Sequence, residues 1–266
     1  MGMMRIAVLG GGVMGEALIA GLLRFEPKPV ISVVERLPER AAELVAAYGI
    51  QALSAADAVA GADVVIAVVK PQDMRTLLAE LAGAFKDDAL LISIAAGITT
   101  HAISQILPGV AVVRAMPNTP ARIRRGLVGV SAGASCAPEQ LARAHALLSA
   151  VGEVLEVPED LQDAITATSG SGPAYVFYLA EAMMRGAQEA GLSADDARAA
   201  VVQTLLGSAE LLAGSELTAA QLRRNVTSPN GTTAAAVEVL DDRKVGDAVV
   251  AAMLAARDRS RELSGS

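Results

Sequence analysis

The chain has 266 residues and a formal charge of −7, from 22 basic and 29 acidic side chains, a balance that excludes broad attraction to nucleic-acid phosphates or anionic membranes and leaves room only for a local anion pocket. Hydrophobic residues make up 53% of it, yet Trp is absent and Phe and Tyr occur three times each, so the core must rest on aliphatic and small side chains. Such a length allows one large domain or two smaller ones, and two is the better starting reading.

Glycines break the apolar N terminus before a membrane-spanning run of about 18 residues develops, and no signal-peptide cleavage arrangement follows, so no export signal is expected. Residues 6–9 read as a strand running directly into Gly10-Gly11-Gly12-Val13-Met14-Gly15. Strand, tight turn and helix start in that order point to a bound dinucleotide: Gly10 for the turn, Gly12 to admit the pyrophosphate near backbone amides, Gly15 for close helix–sheet packing. A plain glycine-rich turn is the alternative.

The next strand, 30–34, ends at Glu35, twenty positions after Gly15. A carboxylate there can accept hydrogen bonds from an adenosine ribose diol, which favours NAD; Arg36 beside it suits a 2′-phosphate instead. An exposed Glu35–Arg36 salt bridge is a third reading. Further apolar strands are expected at 64–69, 90–95, 111–115 and 127–131, with covering helices at 15–23, 38–48, 72–81 and 100–107, which together describe an open parallel sheet buried on both faces. After the third strand, Val69-Lys70-Pro71 forms a restricted turn where Lys70 could face pyrophosphate or the reaction cleft, or simply solvent. Cys136, the only cysteine, excludes an intrachain disulfide and argues for a cytoplasmic compartment; its expected role is packing.

Beyond Val157 the composition turns to long Ala/Leu/Glu-rich helices, at 172–190, 193–213 and 232–240, so a sheet domain at 1–157 is expected to precede an all-helical domain at 158–266. Ser193 with Asp196, and Thr218 with Gln221, offer reciprocal helix caps. Apolar residues on more than one side of these helices, as in Val201, Val202, Leu205 and Leu206, suggest a helical dimer interface. The last four residues, 263–266, read as a tail.

Six blocks occur in order: Gly10–Gly15; Val69-Lys70-Pro71-Gln72; Ile92-Ser93-Ile94-Ala95-Ala96-Gly97; Met116-Pro117-Asn118-Thr119-Pro120; Ser169-Gly170-Ser171-Gly172-Pro173-Ala174-Tyr175; and Thr227-Ser228-Pro229-Asn230-Gly231-Thr232-Thr233. Together they resemble pyrroline-5-carboxylate reductases over almost the complete chain. The resemblance implies a Rossmann domain followed by a helical dimerisation domain, homodimers that assemble further into rings, and reduction of L-1-pyrroline-5-carboxylate to L-proline by NADH or NADPH, the last step of proline biosynthesis. It places the substrate pocket between the nicotinamide and the helical region.

On that template the cofactor meets Gly10, Gly12, Val13, Met14 and Gly15, then Glu35 and Arg36, then Val69, Lys70 and Pro71; Ala95, Ala96 and Gly97 border the nicotinamide together with Met116 and Asn118. Ser171 faces the pocket, and Ser228, Gly231, Thr232 and Thr233 form the substrate-carboxylate loop, with the partner subunit as one source of it. Asn230 departs from the glycine usual before Gly231, but asparagine tolerates the same turn dihedrals, so the loop shape is expected to survive. Ser171 and Thr233 are the hydroxyl candidates for organising the imine proton. No metal is expected, and His101 and His145 read as helix or surface residues. A reductase of other imines or of β-hydroxyacids, and a dinucleotide-sensing protein without turnover, are the rival accounts.

Overall fold

The computed structural model describes residues 3–264. Strand β1 (Arg5–Leu9) leads to helix α1 (Val13–Leu22); β2 (Val30–Val34) to α2 (Pro38–Tyr48), β3 (Gln51–Ala52) and α3 (Ala55–Gly61); β4 (Val64–Ala67) to α4 (Pro71–Glu80); and β5 (Leu90–Ser93) to α5 (Thr100–Ile106). β6 (Ala111–Met116), a 3-10 turn at Thr119–Ile123, β7 (Gly126–Ala132), α6 (Pro138–Leu148) and β8 (Gly152–Glu156) complete an eight-stranded sheet of order β3-β2-β1-β4-β5-β6-β7-β8.

Successive residues of the central strands turn to opposite faces, and both faces are buried, as a two-sided sheet requires. Ile6 and Val8 of β1 face one core with Leu18, Ile19 and Leu22 of α1, Leu44 of α2 and Leu148 of α6. Ala7 and Leu9 face the other, with Val59 of α3, Met74 and Leu78 of α4 and Ile103 of α5. All pairings from β3 through β6 are parallel, but β7 runs antiparallel to β6, and β8 lies parallel to β7. The sheet expected to be parallel is therefore mixed at this edge. The physical reason lies in residues 117–125, too few for a crossover helix; the 3-10 turn and left-handed Arg124 (φ 58°) reverse the chain instead. The elements β3, α3, α6 and β8 lie outside the expected set.

Beyond β8, α7 (Gln162–Ile165) runs into a π-helical turn at Thr166–Gly170, then come α8 (Gly172–Glu189), α9 (Ala194–Ala213), α10 (Ala219–Asn225), α11 (Thr232–Asp242) and α12 (Val245–Ser264). Contacts divide the described residues into two compact units, 3–171 with 256–264, and Gly172–Ala255. Contacts thus keep 158–171 with the sheet, beyond the compositional change at Val157. The ties are specific: Ser131 Oγ donates to the Val157 carbonyl (2.7 Å) and accepts from Gln162 Nε2 (2.9 Å), while Ser260 Oγ donates to buried Asp163 (2.6 Å). Of the expected tail, Leu263 and Ser264 belong to α12; Gly265 and Ser266 lie outside the described residues.

In the helical unit α8 and α9 pack together. The Thr218–Gln221 capping box closes reciprocally, and Ser193 Oγ accepts the Asp196 amide while donating to the Asp196 carboxylate. Among its described residues only Ala197 and Val201 are buried, while Phe177 and Tyr178 stand 67% and 77% exposed.

Glu159 joins three distant segments of the sheet unit. It accepts from the Thr100 amide (2.7 Å) and hydroxyl (2.5 Å) at the start of α5, and faces the Arg114 guanidinium of β6 (3.5 Å), whose side chain is 5% exposed. Removing the carboxylate leaves a buried cation without this partner. Glu159→Ala is expected to lower unfolding free energy by about 3–5 kcal/mol in chemical denaturation, and Arg114→Met in the same chain to restore part of the loss.

Candidate active site

The C-terminal edge of the parallel strands gathers the loops that carry the sequence motifs. Chain order reverses between β1 and β4, the switch point where open α/β sheets bind ligands. A cleft of about 410 Å³ opens there, lined by Gly10, Gly12, Glu35, Arg36, Val69 and Lys70 among the expected residues, and also by Asp73, Thr76 and Glu80 of α4.

The glycines of the turn have distinct jobs. Gly10 adopts φ +114°, and a Cβ on it would meet the Val68 carbonyl oxygen at 2.6 Å; a Cβ on Gly15 would meet the Gly10 carbonyl oxygen at 2.0 Å. By contrast, a Cβ on Gly12 would meet nothing within 4 Å, so the turn is closed toward protein at Gly10 and Gly15 and open at Gly12. Gly12 caps α1 without a side-chain bond, leaving the amides of Val13, Met14 and Gly15 without intrahelical acceptors at the positive end of the helix. An open cradle of amides fits a pyrophosphate.

Gly11, absent from the expected site, is clasped on both sides of its backbone. Its amide donates to Glu35 Oε2 (2.9 Å), and its carbonyl accepts from Arg40 Nε (3.0 Å). Arg40 is itself paired with Glu16 of α1 and with Glu43 (2.9 Å), and Tyr48 Oη donates to Glu16 (2.9 Å). Hydrogen bonds from Arg40 and Tyr48 hold the Glu16 carboxyl below its ordinary range; burial and the Glu16 carboxylate push the Tyr48 phenol up. Glu35 Oε1 accepts the Leu37 amide (3.1 Å). Burial pushes the Glu35 carboxyl up, but the Leu37, Gly11 and Arg36 amides and the Arg36 charge outweigh it and hold the group below its usual range. Arg36 pairs with Asp73 (3.1 Å) and not with Glu35, so the exposed Glu35–Arg36 salt bridge is not the one the structure forms.

The other expected residues follow along the same edge. Lys70, in the cleft lining, caps α4; Pro71 opens the helix and is not part of that lining. Ala95 is buried in the second core, Ala96 is exposed and Gly97 turns with φ +74°. Asn118 is spent inside the protein: Nδ2 donates to the Ser169 carbonyl (3.2 Å) and hydroxyl (3.0 Å), and Oδ1 accepts the Leu127 amide (3.0 Å). It braces the end of β6 against β7 and the π-helical turn. Met116 fills the space beside Gly170, where a Cβ would meet its Cε at 2.8 Å. Half-buried Ser171 follows; its amide donates to the Thr166 carbonyl (2.8 Å), and its hydroxyl makes no hydrogen bond among the described residues.

In the helical unit, Asn230 adopts φ +59°, the left-handed turn that asparagine was expected to tolerate. The Gly231 amide donates to the Ser228 carbonyl (3.1 Å) and is therefore occupied. Gly231 caps α11 without a side-chain bond, which leaves the Thr232 and Thr233 amides leading the helix; Thr232 is exposed and Thr233 half-buried. His101 and His145 lie exposed on α5 and α6, and Cys136 is half-buried, its thiol pushed up by burial. Among the described residues no group of three or more His, Cys, Asp or Glu side chains is placed to hold a metal, and no helix is long and apolar enough to cross a membrane.

Comparison with known proteins turns this geometry into a family. Residues 159–263 match the pyrroline-5-carboxylate reductase dimerisation family, and 5–97 match the family described as NADP oxidoreductase coenzyme F420-dependent. Pyrroline-5-carboxylate reductase of Mycobacterium tuberculosis is 43% identical, covering 98% of this chain and 97% of its own. The chain belongs to the pyrroline-5-carboxylate reductase family. A solved family structure from Coxiella burnetii superposes with a TM-score of 0.92 at 34% identity, covering 99% of both chains. One from Plasmodium falciparum, with NADP bound, gives 0.88 at 24% identity, covering 99% of this chain and 100% of that one.

For a reductase of this family the glycine geometry separates binding from folding. Gly12→Val is expected to fold normally and to weaken dinucleotide binding at least about tenfold in calorimetric titration, because its side chain enters only the cleft. Gly15→Ala is expected to lose about 1–3 kcal/mol of stability to overpacking against Gly10; an equally stable Gly15→Ala variant would contradict the close approach.

Proposed function

We propose that the chain reduces L-1-pyrroline-5-carboxylate to L-proline with NADH or NADPH as reductant, the last step of proline biosynthesis. The observation that carries this reading is the correspondence with the M. tuberculosis reductase over 98% of the chain, which takes in every motif of the site. Bound NAD(P)H supplies the hydride. The chain's own residues hold, orient and supply the proton.

The Gly12 cradle and the leading amides of α1 hold the pyrophosphate, and Glu35, Arg36, Val69 and Lys70 line the space beside it. Val13, Met14, Pro71, Ala95, Ala96, Gly97, Met116 and Asn118 shape the remaining cofactor track, Asn118 through its brace rather than through a free amide. The substrate carboxylate is assigned to the uncapped start of α11, where Thr232, Thr233 and their amides donate and Ser228 and Gly231 set the turn. Ser171, whose hydroxyl has no partner among the described residues, is assigned to the imine nitrogen. A proton at that nitrogen makes the imine carbon electrophilic, and transfer requires the carbon about 3–3.5 Å from the hydride donor.

Division of labour falls near 157/158: the first part binds dinucleotide, and 158–266 serves dimerisation and substrate binding. Within it the compact unit Gly172–Ala255, with two buried residues, lacks a core of its own, and a second copy of the chain would cover its apolar faces. The complete particle is a homodimer, and a ring of dimers is the larger assembly we propose. We place the activity in the cytoplasm, the compartment that suits the lone Cys136.

Purified protein is expected to oxidise reduced dinucleotide only when L-1-pyrroline-5-carboxylate is present; no turnover by folded, dinucleotide-binding protein would overturn the reading. Thr233→Val is expected to raise KM for the substrate by about ten- to a hundredfold, the equivalent of one hydrogen bond to a charged group, with dinucleotide Kd unchanged. Sedimentation should find the wild type at least dimeric, and Leu206→Asp, on an exposed face of α9, shifted toward monomer.

A further inference from the structure

We propose that Glu35 makes the cleft select a dinucleotide whose adenosine ribose carries no 2′-phosphate, so that NADH is the reductant in preference to NADPH. The proposal rests on reading the cleft as the dinucleotide site and adds to it a choice between the two cofactors.

Glu35 is held in place before any ligand arrives. Its two oxygens each accept one backbone amide, Gly11 at 2.9 Å and Leu37 at 3.1 Å, so the carboxylate cannot swing away from the cleft without breaking both. A carboxylate has about four acceptor positions, so acceptor capacity remains after these bonds for the hydroxyls of a ribose diol. The Gly11 peptide is fixed from the other side by Arg40, which is anchored by Glu16 and Glu43, so the carboxylate's support is itself rigid. Because its amide donors hold the Glu35 carboxyl below its ordinary range, it stays charged at neutral pH.

The cation that could welcome a 2′-phosphate has a carboxylate partner with which the phosphate would compete. Arg36 is paired at 3.1 Å with Asp73, in the first turn of α4, and Asp73 lines the same cleft. Its charged lining comprises Glu35, Asp73 and Glu80 against Arg36 and Lys70, three negative groups to two positive. A phosphate monoester would add about 1.5 to 2 negative charges. It would displace one carboxylate from Arg36 while facing the other, whereas a 2′-hydroxyl would donate to Glu35 and leave the Arg36–Asp73 pair intact.

The test is binding rather than turnover. NADH and NADPH are titrated separately into the wild-type protein, Glu35→Gln and the double variant Glu35→Gln/Asp73→Asn, with circular dichroism as the check on folding. Wild type is expected to bind NADH at least about tenfold tighter than NADPH, a single like-charge contact sufficing for that ratio. Glu35→Gln is expected to shrink the ratio and the double variant to shrink it further, because Arg36 is then free. Equal or tighter NADPH binding by the wild type overturns the proposal without any variant. So does a Glu35→Gln protein that binds both dinucleotides more weakly in the same ratio, the result expected if Glu35 only supports Gly11. Failure of the wild type to bind either dinucleotide is a different outcome, and it removes the dinucleotide reading of the cleft together with the proposal.

Discussion

The approach of Gly15 to the carbonyl of Gly10 governs the sheet unit. With 2.0 Å between that oxygen and the position a Cβ would occupy, any residue but glycine would push α1 off the end of β1. Close seating of α1 lets Leu18, Ile19 and Leu22 reach the same core as Ile6 and Val8. It also aims the unpaired amides of Val13 and Met14 along the strand edge where the cleft opens. One steric constraint therefore serves packing and anion binding together, and the Gly11 clasp of Glu35 and Arg40 keeps the turn from relaxing between them.

Legibility in the sequence followed from how local each signal is. Strands buried on both faces, such as β4 and β5, read as unbroken apolar runs, and Pro38 with Gly49 marked α2 to its ends. The direction of β7 was not legible, because it depends on how residues 117–125 turn, and a left-handed Arg124 leaves no compositional trace. β8 went unread because its sheet-edge burial is partial. In the site, Gly10 and Gly15 announced themselves because their backbone positions admit nothing larger. Arg40 did not, since its acceptor is a carbonyl 29 positions away and any residue type offers a carbonyl. Asn118 carried a family signal, while its amide is spent on Ser169 and Leu127, partners that no local pattern announces.

An acidic chain that binds an anionic cofactor needs attraction without net positive charge. On the proposed assignment the attraction is local and made of backbone, from the helix starts of α1 and α11, both led by glycine caps without side-chain bonds. Of the cations near the cleft, Arg36 is paired with Asp73 and Arg40 with Glu16 and Glu43. Backbone dipoles are short-ranged, so they hold a phosphate or carboxylate that fits the turn without attracting polyanions in general. The charge of −7 and an anion site are compatible for this reason.

Stability is distributed unevenly between the two units, and this bears on how activity depends on assembly. The sheet unit owns two hydrophobic cores and the Glu159–Arg114–Thr100 junction. Within the helical unit only Ala197 and Val201 are buried among the described residues, so its order depends on surfaces beyond its own fold. In a homodimer that surface would come from a second copy, and the free energy holding α8, α9 and α11 in place would depend on protomer concentration. The α11 start, assigned to the substrate carboxylate, would be ordered by association, while the glycine turn would remain formed in either state. Dilution would then cost substrate affinity before it cost dinucleotide affinity, which follows from where the buried surface lies rather than from any single residue of the site.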